Sequence, residues 1–401
     1  MPIVNDAVAA KNISDQIFGP LNVLVVDDMS AIRRMLRQML LHLGVQGDIK
    51  EAGDGQEAWE ALQERPFDLV VCDINMPRMN GLDLLRHLRA TTQYQTTPFL
   101  MISGEVSEDI IAASAESEVD GYLLKPFKID ALENRLRTIL MHRYLPSRGE
   151  SLFRKASGLL VKNQSAEALE VLEELSQPPF RIQAKVLNLM GECHMALEAP
   201  VEAAVCFEQA LQLNSKYLKA YQNLAVLMES QGNLAAARNY LEEARKLSPL
   251  NAERLYCLGR ICLQTGASEQ AKQYLEESWH LGYHPSADHR TQMAETFLAA
   301  GLAKIAEDLF VKALDDTPKN AHLYNRLGVA LRRQNKHQEA LDRYQQALKL
   351  DPQNEKVYFN LGVLFFDLGE RAKALEALRA AVKLCPDFPE AQDFLQHHFS
   401  T

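Results

Sequence analysis

No apolar run in this 401-residue chain approaches the roughly 20 residues that span a bilayer, so membrane insertion is not expected. The first residues also lack the cationic start and clean apolar stretch of a secretory signal peptide. We interpret residues 1–20 as a partly ordered lead-in segment. The six cysteines contain no C-x-x-C pair and are scattered through apolar segments, which favours reduced core residues in a cytoplasmic protein over a disulfide framework.

An excess of positive charge is also absent. The net charge is −10, of which residues 1–146 carry −7 and the remainder −3. Proteins that bind nucleic acids usually present a basic patch to the phosphate backbone. Nucleic-acid regulation is therefore the least favoured of the functions considered below.

Residues 21–143 alternate short apolar runs with amphipathic segments. The runs are LNVLVVD, QGDIKEA, FDLVVCD, TPFLMIS and DGYLLKP. Strands that alternate with helices are typical of a parallel sheet covered on both faces. We therefore predict an α/β doubly wound fold with five parallel strands and five helices.

Polar residues follow the predicted strands at their carboxyl ends. Asp27 and Asp28 end the first strand, Asp73 the third and Ser103 the fourth, and Lys125 follows the fifth. Neighbouring carboxylates near an apolar core cost free energy, so a structural role explains them poorly. Ligands bind beyond the carboxyl ends of the strands in such sheets. We expect these side chains to converge at one edge.

Residues 149–388 lack this strand pattern and repeat with a period of 34 or 35 residues instead. An alanine marks each period, and a glycine or alanine stands twelve residues before most of these alanines. Such a period is typical of stacked helix–turn–helix units, in which small residues let two helices approach closely. The marker alanines are Ala168, Ala203, Ala237, Ala271, Ala306, Ala340 and Ala374.

These units resemble the tetratricopeptide repeat (TPR), most clearly from Leu218 to Asn251. The resemblance implies an all-α superhelical solenoid whose concave groove holds a peptide or partner helix. Residues 389–401 read as a C-terminal capping helix. About seven units are predicted, over 149–183, 184–217, 218–251, 252–286, 287–320, 321–354 and 355–388.

Asn223, Arg326 and Asn360 fall at the sixth position of their units, which faces the groove in this family. An asparagine there could pair with a partner's backbone, and the arginine could hold a carboxylate. The simpler interpretation, which we favour, is that these three residues are an ordinary polar lining of the groove.

The motifs VVDD, VCDINMPRMNG, MIS and YLLKPF make residues 21–143 resemble a response-regulator receiver domain of the CheY-like, flavodoxin-like type, joined to the repeats by a linker at 144–151. The resemblance implies that Asp73 accepts a phosphoryl group. It also implies Mg²⁺ held by Asp27, Asp28, Asp73 and the backbone carbonyl of Asn75. Oxygen ligands of this kind suit Mg²⁺, whose charge neutralises the phosphoryl oxygens.

The same resemblance assigns roles around the phosphoryl group. Lys125 would pair with one phosphoryl oxygen and Ser103 would offer its hydroxyl to another. Tyr122 fits the aromatic position that rotates inward on activation. Asn75 and Glu105 would flank the water that hydrolyses the phosphate, which implies a short-lived phosphorylated state.

We therefore expect a two-component response regulator whose output is protein–protein contact through the repeats. A sensor histidine kinase or phosphotransfer protein would be one partner, and an unknown protein or peptide in the groove the other. Coupling could release a receiver–repeat contact or form a homodimer through the receiver face near strand five. The main alternative is a phosphate sink that drains a kinase.

Overall fold

The computed structural model describes residues 17–91, 93–94, 96–104, 119–144, 146–177, 183–283 and 289–399. The chain divides into two compact units, Met1–Leu250 and Asn251–Thr401, and each is described by itself. Within the described residues, no helix is long and apolar enough to cross a membrane.

A five-stranded sheet opens the first unit. Its strands lie in the order β2-β1-β3-β4-β5, and every neighbouring pair is parallel. The predicted doubly wound parallel sheet is confirmed. The strands are β1 (Val23–Val26), β2 (Ile49–Ala52), β3 (Leu69–Asp73), β4 (Phe99–Ser103) and β5 (Gly121–Leu124).

Helices cover both faces of this sheet, because alternate residues of each strand point to opposite sides. Val23 and Val25 share one core with α1 and α4, whereas Leu24 and Val26 share another with α2 and α3. The helix expected between β4 and β5 falls on residues 105–118, outside the described residues. The four described helices of this part are α1 (Ser30–His42), α2 (Gly55–Glu64), α3 (Gly81–Ala90) and α4 (Ile129–Tyr144).

Helix pairs make up the rest of the described chain, as the 34-residue period predicted. In the first unit they are α5 (Arg148–Val161), α6 (Ser165–Leu175), α7 (Ala184–Ala196), α8 (Pro200–Leu213), α9 (Leu218–Ser230) and α10 (Leu234–Leu247). In the second unit they are α11 (Ala252–Gln264), α12 (Ser268–His280), α13 (Arg290–Ala299), α14 (Ala303–Asp316), α15 (Ala321–Arg333), α16 (His337–Leu350), α17 (Glu355–Asp367) and α18 (Arg371–Leu384), followed by a final helix, α19 (Pro389–Phe399).

Short polar turns separate successive pairs in the second unit. Asn251, Asn320 and Asn354 each accept a backbone N–H of the following helix with their side chain. Such caps satisfy amides that a helix start would otherwise leave unpaired. A proline lies two residues before each cap and stops the preceding helix from continuing.

The periodic small residues stand where the two helices of a pair meet, which confirms the packing that the sequence predicted. A Cβ atom placed on Gly191 of α7 would lie 2.7 Å from Cδ1 of Phe207 in α8. Gly362 meets Leu378 in the same way in the second unit, with a Cβ–Cγ distance of 2.6 Å. These distances are far below van der Waals contact, so neither site can take a larger residue without movement.

The same substitution should have opposite effects at two helical glycines of the first unit. We expect Gly191→Ala to lower the free energy of unfolding by about 1–2 kcal/mol, because the added methyl overpacks the contact with Phe207. Gly158 lies on an exposed helical face with open space around it, so Gly158→Ala should raise that free energy by about 0.5–1 kcal/mol. Urea unfolding followed by circular dichroism measures both, and equal signs would contradict the packing described.

Candidate functional site

The polar residues predicted at the strand ends meet at one edge of the sheet. Asp27 directly follows β1, Asp73 ends β3, and Lys125 follows β5. The Nζ atom of Lys125 donates to Oδ2 of Asp27 at 2.7 Å and to Oδ1 of Asp73 at 2.5 Å. Both carboxylates are buried, with Asp27 1% and Asp73 7% exposed. One ammonium group therefore bridges two buried acids.

Backbone amides fix the other carboxylate oxygens. The amide of Met29 donates to Oδ1 of Asp27, and that of Asn75 donates to Oδ2 of Asp73, both at 2.9 Å. These amides belong to the loops that follow β1 and β3, so the strands aim the acids and the loops hold their orientation.

The lysine is held by its own backbone as well. Its amide donates to the carbonyl of Ser103 at 2.7 Å, and the Lys125–Pro126 peptide bond is cis. Ser103 itself is buried at the end of β4. The serine and the lysine therefore lie next to each other across β4 and β5.

Burial and neighbouring charges have opposite effects on the pKa values of Asp73 and Lys125. Burial raises the pKa of Asp73 above its usual value, and the adjacent Lys125 only partly offsets this. Burial alone would lower the pKa of Lys125, but its bonds to Asp27 and Asp73 outweigh that and raise it. The nearby ammonium group of Lys125 therefore favours the charged form of Asp73, which burial disfavours.

The remaining predicted site residues of the receiver are Asp28, Tyr122 and Glu105. The side chain of Asp28 is exposed. Tyr122 is half-buried and packs against the apolar core that β1 and β3 share with α2 and α3. Glu105 lies outside the described residues.

Within the described part of the chain, no group of three or more histidine, cysteine, aspartate or glutamate side chains is arranged to hold a metal ion. Of the three carboxylates predicted to hold the metal, Asp27 and Asp73 are buried, and Asp28 is exposed. The donor chemistry still fits Mg²⁺, which prefers oxygen and commonly takes one or two protein carboxylates while keeping several waters. Two carboxylates on neighbouring strands meet that need.

Two arginines near the site were missed in the sequence. The guanidinium of Arg33 in α1 donates to the carbonyl of Asp27 at 2.6 Å and to that of Asp28 at 3.2 Å. Arg78, in the loop after β3, pairs with Asp54 and Glu57. Arg33 lies outside the VVDD motif, and Arg78 lies inside VCDINMPRMNG at a position to which the sequence assigned no role.

The predicted groove residues already bond within the protein. In the first unit, Nδ2 of Asn223 donates to Oδ1 of Asn188 at 3.0 Å and to Oε1 of Glu192 at 3.1 Å. These bonds join α9 to α7. The asparagine thus contributes to the contact between successive repeats.

The second unit has the same kind of contact. Nδ2 of Asn360 donates to Oδ1 of Asn325 at 2.8 Å, and the guanidinium of Arg326 makes two bonds to the carboxylate of Glu295, Nε donating at 2.6 Å. A partner carboxylate would therefore have to compete with Glu295. The sequence could not reveal this, because each bond partner lies 31 or 35 residues away.

Comparison with known proteins agrees with the fold. A family model described as "Response regulator receiver domain" matches residues 23–137. The chemotaxis protein CheY-3 of Vibrio cholerae is 40% identical over 119 residues, which cover 30% of this chain and 91% of that protein. The chain belongs to the response regulator receiver family. CheY of Pseudomonas aeruginosa is 39% identical over 119 residues and is covered to 95%.

Tetratricopeptide repeats follow the receiver domain. Repeat models match residues 229–281, 328–369 and 355–388. Among solved structures, a TPR protein named YrrB, described as having an unusual peptide-binding site, is 23% identical with a TM-score of 0.39, covering 47% of this chain and 97% of that one. The expected combination of a receiver with TPR units is confirmed.

Proposed function

We propose that this protein is a two-component response regulator in which phosphorylation of Asp73 controls what the TPR units bind. A receiver domain joined to repeats of a protein-interaction family already indicates a signalling adaptor. The observation that carries the finer proposal is the bridge from Lys125 to both Asp27 and Asp73. In this bridge, a buried carboxylate oxygen lies beside a cation that could pair with a phosphoryl oxygen, which supports the proposal.

The transfer itself needs little beyond position and charge. An ionised carboxylate oxygen of Asp73 attacks the phosphorus of a phosphohistidine donor, and the histidine nitrogen leaves with the electron pair of the broken P–N bond. No general base is required, because a carboxylate carries no proton to remove. Lys125 then exchanges a carboxylate for a phosphoryl oxygen, and Ser103 donates its hydroxyl to another.

Mg²⁺, held by Asp27, Asp28, Asp73 and the carbonyl of Asn75, would supply positive charge for the phosphoryl oxygens. Asn75 would have two roles. Its backbone amide holds the carboxylate of Asp73, which accepts the phosphoryl group, and together with Glu105 it would flank the water that hydrolyses the phosphate.

The phosphoryl group adds about 1.5–2 negative charges and new acceptor oxygens to the edge of the sheet. Movement of Ser103 and Lys125 toward it shifts the ends of β4 and β5. Tyr122 lies on β5 three residues before Lys125, so its half-buried ring is well placed to move with them. This is the switch that we propose for the domain.

A continuous set of contacts leads from the receiver into the first repeats. Nη2 of Arg154 in α5 donates to the carbonyl of His142 in the last turn of α4, at 2.9 Å. Glu150 pairs with Arg154 at 3.5 Å and with Lys185 of α7 at 2.9 Å. These contacts would therefore transmit a shift of α4 to the helices of the first two repeats. Release of this contact is the coupling that we favour over dimerisation through the receiver.

In this proposal, residues 21–143 receive the signal, residues 144–151 link the two parts, and the seven units bind a protein or peptide in their groove. Asn223, Arg326 and Asn360 would face that ligand while they also join neighbouring helices. A sensor kinase or phosphotransfer protein supplies the phosphoryl group.

Affinity capture tests this function. Full-length wild type and Asp73→Asn are used as bait in lysate of the source cells, each with and without beryllofluoride and Mg²⁺, which mimic the phosphoryl group. We expect at least one protein whose recovery with wild type changes on beryllofluoride and does not change with Asp73→Asn. The same bound set in all four samples would reject phosphorylation-controlled binding and leave the phosphate-sink function.

A further inference from the structure

The segment 74–80 connects β3 to α3, and we call it the β3–α3 loop. It carries Asn75, whose amide holds Asp73, and three residues later Arg78. Arg78 has a φ of 61°, in the left-handed region. Residues with a Cβ atom adopt this conformation at a cost in free energy, so the surrounding structure has to stabilise it.

Two carboxylates at the start of α2 supply that stabilisation: Asp54 at its N-cap and Glu57 in its first turn. The guanidinium of Arg78 pairs with Oδ2 of Asp54 and with Oε1 of Glu57, the latter at 2.8 Å. Asp54 is 2% exposed and uses its other oxygen to cap α2. Glu57 uses its other oxygen to accept the amide of Gly53 at 2.8 Å. Backbone amides therefore hold both acids in place independently of Arg78.

The backbone of the loop contacts the same helix start. The amide of Gly55 donates to the carbonyl of Met79 at 3.0 Å. A Cβ atom on Gly55 would lie 2.8 Å from Cγ of Met79, so only glycine permits this approach. At the end of β2, the carbonyl of Ala52 accepts the amide of Asp27 at 3.2 Å. Through these bonds the β3–α3 loop is linked to the end of β1, where the buried Asp27 lies.

We propose that Arg78 is a positioning residue for the Mg²⁺ site: its ion pairs with Asp54 and Glu57 fix the β3–α3 loop so that Asn75 is presented beside Asp73. The inference rests on the proposed function, because it assumes that the sheet edge binds Mg²⁺. Arg78 touches neither the metal nor the phosphoryl group. It acts through the loop backbone.

Without the ion pairs, residue 78 can leave the left-handed region, and the backbone of the loop is then free to change conformation. The Asn75 carbonyl then has to be ordered when the metal binds, and that ordering weakens binding. For Arg78→Ala we expect the dissociation constant of Mg²⁺ to rise about fivefold, which corresponds to roughly 1 kcal/mol. Arg78→Lys keeps a cation that can reach one of the acids and should recover most of the affinity.

Isothermal titration of the full chain with MgCl₂, without any phosphodonor, measures this constant. Arg65→Ala is the matched control, because Arg65 pairs with Asp48 on the surface of the same domain, away from the loop. We expect this variant to bind Mg²⁺ as wild type does. Hydrogen exchange without metal gives a second readout, in which Arg78→Ala should speed exchange of the Asn75 and Gly55 amides and Arg65→Ala should not.

Arg78→Asn separates the ion pairs from the backbone conformation, since asparagine tolerates the left-handed region but cannot reach both acids. We expect it to bind Mg²⁺ as weakly as Arg78→Ala. Wild-type affinity in Arg78→Asn or in Arg78→Ala would overturn the positioning role. Failure of the proposed function looks different: wild type itself would bind no Mg²⁺ and would take no label from acetyl phosphate.

Discussion

Asp73→Asn should abolish the Mg²⁺-dependent labelling of the full chain by acetyl phosphate. An amide is not a nucleophile under these conditions, so the loss should exceed a hundredfold even though the bond from the Asn75 amide can persist. Labelling with radioactive acetyl phosphate, followed by separation of the intact protein, measures the effect.

Asp68→Asn is a suitable control for this prediction. Asp68 precedes the same strand at its opposite end, where it accepts the amide of Asn22 at 2.8 Å. Labelling of this variant should equal that of wild type. If Asp73→Asn were labelled as strongly as Asp68→Asn, the acceptor would be another residue and the proposed chemistry would be wrong.

Lys125→Met should destabilise the protein strongly in the absence of metal. Methionine has nearly the volume of lysine but carries no charge, so Asp27 and Asp73 would face each other without the cation that bridges them. Removing one partner of a buried ion pair typically costs about 3–5 kcal/mol. We expect a loss of about 3 kcal/mol in EDTA, because protonation of one acid limits the penalty.

Mg²⁺ should recover part of that loss, since a dication can replace the missing ammonium group between the acids. The stabilisation by 10 mM Mg²⁺ should therefore be larger for Lys125→Met than for wild type. Lys128→Met, at an exposed position of the same segment, is the control and should behave as wild type does. Thermal unfolding with and without Mg²⁺ makes the comparison, and equal stability of Lys125→Met and wild type in EDTA would contradict the electrostatic account of the site.

The sheet edge could be read from the sequence because parallel strands bring their carboxyl ends to the same side. Once Asp27, Asp73 and Lys125 were assigned to the ends of β1, β3 and β5, their proximity followed from topology alone. The helix pairs were equally readable, since a small residue recurs wherever two helices must approach closely.

Contacts that depend on side-chain direction could not be read in this way. Asp28 neighbours the buried Asp27, yet its own side chain is exposed, a difference that the sequence did not show. Arg78 finds its partners 24 and 21 residues earlier in the chain, and Arg154 reaches the end of a helix in the preceding domain. No local pattern encodes such pairs, because either partner alone resembles an ordinary surface charge.

The affinity of a captured partner for the two states of the protein tests the central claim most directly. Isothermal titration would compare wild type with and without beryllofluoride and Mg²⁺, with Asp73→Asn under the same two conditions. We predict that beryllofluoride changes the dissociation constant of wild type at least fivefold, the lower end of typical allosteric coupling, and leaves that of Asp73→Asn unchanged. Equal constants for wild type in both states would show that phosphorylation of the receiver does not control binding by the repeats.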